Sequence, residues 1–176
     1  MAKQREPEFS VVVVNVRGSF KAPANFVYVG RQVGERWPGS PLGNPYHLPK
    51  EHTWQQRLEV VRQYEHWFVA QHDHWFATQD YSTPAGAEFR QLCELAMYPG
   101  RLALGCWCAP ELCHAHVLQY HILAFCGGLH AEHLDQTVWG QQLAGERFVA
   151  GSLLSGAGVE CEDVWELVAR SPARAR

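Results

Sequence analysis

The fold is decided by the stretch Arg101-Leu-Ala-Leu-Gly-Cys-Trp-Cys-Ala-Pro110-Glu-Leu-Cys-His-Ala-His-Val-Leu118. Its apolar run over 101–105 predicts a strand buried on both faces. Pro110 interrupts the run, and apolar residues then return at helical spacing, so the stretch predicts a strand, a tight loop and a helix. Because ligands of open α/β sheets bind outside the carboxyl ends of the strands, beside helix N-termini, we expect the functional site here.

The composition favours one compact domain. With 176 residues, of which 47% are hydrophobic, the chain can bury a sizeable core. A net charge of −3 gives no support to duplex DNA binding by phosphate neutralisation. The polar N-terminus lacks an apolar signal core and no apolar run reaches membrane-spanning length, so we expect a cytoplasmic protein with no membrane partner. Six cysteines in that setting are expected to be reduced thiols.

Hydrophobic patterning predicts the order of the elements. Strands are expected over 9–16, 26–29 and 101–105, and helices over 53–77, 84–97 and 112–126. In the first helix Arg57 falls outside the apolar stripe, and His72 and His74 are interpreted as packing or solvated residues. This order predicts an α/β, three-layer, Rossmann-like domain with a mainly parallel central sheet and helices on both faces.

The domain is expected to span 9–128, after a polar lead-in over 1–8. Residues 129–176 are interpreted as a C-terminal extension packed on the same domain. Short apolar segments near 134–139, 148–154 and 162–169 are its only pattern.

Polar residues that follow the first two strands are candidate ligand-binding residues. Asn15 can hydrogen-bond a base or ribose, and Arg31 can hold a carboxylate or phosphate. The stretch 32–50 is rich in glycine and proline, so it predicts a long loop, which is more often functional than idle. The alternative is that these residues only form turns. The candidate loop residues are Gly43, Asn44, Pro45 and Tyr46.

The cysteines and histidines of the central stretch admit three interpretations. Cys106, Cys108 and Cys113, together with His114 or His116, supply soft ligands for zinc, but their spacing lacks the paired knuckles of ordinary zinc modules. Adjacent Cys113 and His114 are also expected to point apart, so we expect no structural zinc. In the second interpretation Cys113 is a nucleophile beside His114, with Cys106 in support. In the third the thiols only fill space.

The motif resembles a known family. Val-Tyr-Val-Gly-Arg31, Gly-Ser-Pro-Leu-Gly-Asn44-Pro-Tyr46 and the Cys106-Trp-Cys-x-Pro-x-x-Cys-His114 core are similar to domain-of-unknown-function family 4326, which occurs in phages and bacteria. The arrangement is more distantly similar to an uncharacterised Rossmann-like family, number 488, which implies a nucleotide-binding sheet by analogy of fold alone. His116 and the chain beyond residue 128 depart from the family pattern.

These observations lead to a functional hypothesis. We expect an enzyme that acts on a nucleoside, nucleotide or nucleic-acid base, with Tyr46, Trp107 and Cys108 beside the ligand and Cys113 and His114 reacting. The alternatives are a non-catalytic module that binds a small ligand or a protein partner, such as a phage factor acting against a host system, and a zinc-stapled interaction domain.

Overall fold

The computed structural model describes residues 9–97, 100–126, 134 and 137–145. It contains every strand and helix that the patterning predicts, each with bounds within two residues of the predicted ones. A further helix, α4, spans 138–145. The other elements are β1 (Phe9–Asn15), β2 (Phe26–Tyr28), α1 (Trp54–Thr78), α2 (Pro84–Met97), β3 (Gly100–Cys106) and α3 (His114–Cys126).

The three strands form a parallel sheet in the order β1-β3-β2. In its register Asn15 lies opposite Cys106, and Tyr28 lies opposite Gly105. The carboxyl ends of all three strands therefore meet at one edge of the sheet. The described part of the chain is thus a mixed helix and strand fold around a small parallel sheet.

The core lies between the sheet and the helices. Both α2 and α3 contact β1 and β3, and α1 contacts α2 and α3. Phe68, Trp75 and Phe89 are fully buried in this layer. The Phe89 ring centroid lies 5.2 Å from that of Phe68 and 6.1 Å from that of Trp75. The sheet is therefore covered by a layer with an aromatic centre, whereas helices on both faces of the sheet stay a prediction.

The predicted loop over 32–50 contains only an isolated bridge between Val33 and Trp37. It is nevertheless anchored at two points. The Tyr64 hydroxyl of α1 donates to the Leu42 carbonyl over 2.8 Å, and the Ser40 hydroxyl donates to Glu88 of α2 over 2.8 Å. These bonds hold the loop against α1 and α2.

The first helix differs from its predicted pattern at one residue. Arg57, which the apolar stripe leaves on the polar face, is only 8% exposed. The amphipathic pattern fails here because the loop between β3 and α3 covers this side of α1, with Leu112 accepting a hydrogen bond from the guanidinium over 3.2 Å.

The C-terminal part of the described chain contacts α1. Trp139 is fully buried, and its indole N–H donates to Glu65 over 2.6 Å. Within the described residues, no helix is long and apolar enough to cross a membrane. The predicted lead-in over 1–8 and the apolar segments near 148–154 and 162–169 lie outside the described residues.

Candidate functional site

A cavity of about 120 Å³ lies at the carboxyl ends of β2 and β3. Its wall combines the end of β3, the following loop, the first residues of α3, the loop after β2 and one side of α1. The cavity thus lies at the edge of the sheet where the sequence predicts a functional site. Lining residues with polar or aromatic side chains are Tyr28, Arg31, Asn44, Tyr46, Arg57, Cys106, Trp107, Cys108, Cys113 and His114.

Two thiols and one imidazole converge on this cavity. Ligand atoms of Cys106, Cys113 and His114 all lie within 4.8 Å of one another, and all three residues are buried. The expectation that Cys113 and His114 point apart is therefore wrong. The expectation fails because α3 begins at His114, so Cys113 precedes the helix and the two side chains do not follow helical spacing.

The two histidines of the motif have different partners. His114 Nε2 lies 2.7 Å from the Val29 carbonyl oxygen, which can only accept, so Nε2 carries the proton. Its Nδ1 faces Cys106 Sγ at 4.0 Å. His116 Nδ1 instead accepts the backbone N–H of Cys113 over 3.2 Å. That nitrogen also lies 3.5 Å from Cys113 Sγ. Of the two histidines that the sequence offers as metal ligands, His114 is the one whose ring nitrogen groups with both thiols.

Burial decides the protonation of these groups. It lowers the pKa of His114 to about 4, against an opposing hydrogen bond to Val29, and it lowers the pKa of His116 to about 4. A hydrogen bond with Cys108 lowers the pKa of Cys106, but a hydrogen bond with Cys113 and burial outweigh it and raise that pKa to about 12. At neutral pH the imidazoles are neutral and the Cys106 thiol keeps its proton.

The charge of the cavity comes from two arginines. Among the described residues that line it, Arg31 and Arg57 are the charged ones, and no carboxylate lines it. Arg57 forms an ion pair with Glu111 and donates to His52 Nε2 over 2.7 Å. Arg31 is exposed and donates to His47 Nδ1 over 2.6 Å. The cavity therefore favours an anionic group, and Arg31 is the arginine nearer to solvent.

Most predicted site residues meet at the cavity, but four do not line it, namely Asn15, Gly43, Pro45 and His116. The Asn15 amide donates to the carbonyls of Trp107 and Ala109, so it braces the loop after β3. Gly43 lies where an added Cβ would approach the Ser40 and Gly30 carbonyl oxygens within about 3 Å, which makes it a packing glycine. Pro45 is also outside the lining, although its neighbours Asn44 and Tyr46 belong to it.

Sequence reasoning missed Tyr28 and Arg57 as lining residues. The Tyr28 hydroxyl donates to the Arg31 carbonyl over 2.6 Å. Beside it the Trp107 indole N–H is buried without a well-formed hydrogen bond. A buried donor of this kind is costly unless something satisfies it, so an acceptor atom of a ligand would fit there. The position of Tyr28 at the end of a strand beside the predicted site could have indicated it as a lining residue. Nothing in the sequence around Arg57 indicated such a role.

Comparison with known proteins identifies the family. Residues 14–124 match the domain of unknown function DUF4326, which is more than half of the chain. The chain belongs to this family. No curated protein and no solved structure matches it. The matched range contains the whole cavity wall, so the Cys106-to-His114 cluster is part of the DUF4326 domain, while α4 lies beyond the match.

Proposed function

We propose that the protein binds a nucleotide or nucleoside in this cavity and acts chemically on it, with Cys113 and His114 at the reacting position and Cys106 in support. The observation that carries the proposal is the lining, which joins two arginines and no carboxylate to aromatic rings. A guanidinium binds phosphate, and an aromatic ring stacks on a base. The three aromatic lining residues are Tyr28, Tyr46 and Trp107.

The size of the cavity limits how the ligand enters. A volume of about 120 Å³ is well below the roughly 300–1,000 Å³ of pockets that enclose a drug-sized molecule. The cavity would therefore enclose only one part of a nucleotide. We place the ring inside, against the aromatic residues, and the phosphate at the mouth on Arg31, because Arg57 is occupied by Glu111 and His52.

The parallel sheet supports the same placement. In Rossmann-like α/β folds, ligands bind at the carboxyl ends of parallel strands, and the cavity lies at that edge. We propose that the domain is Rossmann-like in this sense, with a three-layer arrangement.

Ligand binding is tested with the intact chain, purified without chelator. A panel of nucleosides and nucleoside monophosphates is screened by thermal shift, and a monophosphate should raise the melting temperature. Arg31→Gln should weaken its binding by at least about tenfold, since a charge-assisted bond is lost. Arg36→Gln is the matched control, because Arg36 lies in the same exposed loop but does not line the cavity. A folded protein that no member of the panel stabilises would overturn the proposal.

Catalysis is tested on each ligand that binds, by chromatography of the products. If the protein carries no zinc, Cys113→Ser or His114→Ala should abolish turnover and leave ligand binding within about tenfold, because chemical steps depend on those groups more than ground-state binding does. A ligand that binds without product formation would favour the alternative, a non-catalytic binding module.

As a second candidate role, we propose that the Cys106, Cys113 and His114 group holds zinc, in which case Cys113 and His114 are metal ligands and not the reacting thiol and imidazole. Thiolates and imidazole are the donors that zinc prefers, whereas magnesium and calcium take oxygen ligands. The three donor atoms are already gathered within 4.8 Å of one another.

A further inference from the structure

We propose that zinc bound by Cys106, Cys113 and His114 keeps its fourth coordination position open toward the cavity, where it takes a water or an oxygen, nitrogen or sulfur donor of a ligand. This inference rests on the zinc of the proposed function, and it makes the ion a ligand-binding centre. Zinc sites with three protein ligands and an open position are typical of catalysis, whereas sites with four protein ligands are structural.

The orientation of His114 supports its role as a ligand. Its Nε2 proton is donated to the Val29 carbonyl, which leaves the Nδ1 lone pair on the side of Cys106. Histidine ligands of metals commonly donate their second ring nitrogen to a carbonyl in this way, which fixes the tautomer and the ring plane. His116 Nδ1 contacts the Cys113 backbone N–H at 3.2 Å and Cys113 Sγ at 3.5 Å, but His116 is outside the group of donor atoms that includes Cys106, so it is not a ligand in this arrangement.

Cys108 is the candidate for a fourth protein ligand, and its contacts argue against that role. Its thiol interacts with Cys106 and with the Arg57 guanidinium. Arg57 is in turn held by Glu111, His52 and the Leu112 carbonyl. Cys108 is outside the group of donor atoms that lie within 4.8 Å of one another. Cys108 thus neighbours Cys106, but its sulfur does not join the compact group of donor atoms, and the fourth position is left unfilled.

The charge balance suits a buried ion. Zinc binding releases the protons of Cys106 and Cys113 to solvent, and two thiolates with one neutral imidazole give a site of zero net charge. A neutral site avoids the large cost of burying an uncompensated charge. All three ligands line the cavity, and no carboxylate does so within the described chain, so the open position faces the space available to a small ligand.

The ligand set is tested by metal content. Wild-type protein purified without chelator should carry one zinc per chain in native mass spectrometry. Cys106→Ser, Cys113→Ser and His114→Ala should lose the ion, whereas Cys108→Ser and His116→Ala should keep it. Circular dichroism checks that each variant folds. Wild-type protein that takes up neither zinc nor cobalt(II) would overturn the zinc itself, whatever the nucleotide screen shows.

The open position is tested on the wild type, so it does not depend on any variant folding. Cobalt(II) replaces zinc, and its visible absorption bands report the coordination. Added cyanide should shift these bands, because it enters the open position. The inference would be overturned if the bands of bound cobalt did not change on addition of cyanide and Cys108→Ser also lost the metal. That result would show a closed site of four protein ligands. Neither outcome bears on whether a nucleotide binds at Arg31.

Discussion

Two groups of cysteines occur in the described part of the chain, and they differ in what surrounds their thiols. Cys106 and Cys113 lie within reach of an imidazole and line the cavity. Cys93 and Cys126 lie on α2 and α3, where the Cys126 thiol donates to the Cys93 carbonyl over 3.4 Å, and neither lines that cavity. A buried thiol is thus a candidate for chemistry only where a second donor and access for a ligand coincide.

Buried histidines show the same difference. Burial lowers the pKa of both His114 and His72. His114 is oriented by a carbonyl and faces a thiol. His72 instead packs among aromatic rings, 5.3 Å from the Phe89 centroid and 5.9 Å from that of Phe125. A histidine pKa lowered by burial is therefore found both for a candidate ligand, His114, and for a packing residue, His72.

The largest expected effect separates the two groups of cysteines. Replacing Cys106 and Cys113 together by alanine should remove bound zinc completely, because two of three ligands are lost. Replacing Cys93 and Cys126 together by alanine should leave one zinc per chain. Elemental analysis of both double variants is the measurement. Equal zinc loss in the two variants would mean that the strand-end group is not the metal site.

Loss of a buried aromatic ring from the core should lower the free energy of unfolding. Phe89→Ala should lower the free energy of unfolding by about 3–5 kcal/mol, because a fully buried ring leaves a cavity. Phe76→Ala, at a ring that is 43% exposed, is the control and should cost no more than about 1 kcal/mol. Urea denaturation at neutral pH measures both. Similar costs for the two variants would contradict a core centred on Phe89.

The bond between α1 and the cavity loop should have a moderate effect. Tyr64→Phe leaves the fully buried Leu42 without its hydrogen-bond donor, which should cost about 1–3 kcal/mol. Tyr81→Phe, at a half-buried tyrosine away from the cavity, should cost less. Urea denaturation measures both variants. If Tyr64→Phe is as stable as wild type, the loop is held by other contacts.

The smallest expected effect concerns His72 and pH. Burial and the neighbouring His121 lower its pKa, against the opposing Asp73 carboxylate at 3.7 Å. Below the unfolded pKa of about 6.5, protonation then favours the unfolded chain, so stability falls as pH decreases. His72→Gln should lose less stability than wild type between about pH 7.5 and about pH 5.5. Urea midpoints across that range measure the difference, and parallel curves would contradict it.

The elements and the place of the cavity could be predicted because their signals are local. The run of valines before Asn15 and the apolar spacing after Thr53 each belong to contiguous residues. Strand and helix periods are therefore visible without any knowledge of partners. The dense cysteine and histidine motif after a buried strand likewise placed the site at the strand end, where the structure has its cavity.

The partners of individual side chains could not be predicted in the same way. Asn15 was expected at a ligand, but its amide is bonded to the loop after β3. Arg57 falls outside the apolar stripe of its helix, but loop residues cover it. In both cases the deciding partner lies more than fifty residues away along the chain, so the sequence pattern around the residue does not indicate it.

The sequence by itself determined the succession of strands and helices, and it concentrated thiols and imidazoles in one strand–loop–helix. Only the tertiary structure decided that His114, rather than His116, faces Cys106. That choice depends on the Val29 carbonyl, which β2 brings to His114 by pairing with β3. The physical reason is that a lone pair becomes available only when the other ring nitrogen has found its acceptor, and here the acceptor comes from a distant strand.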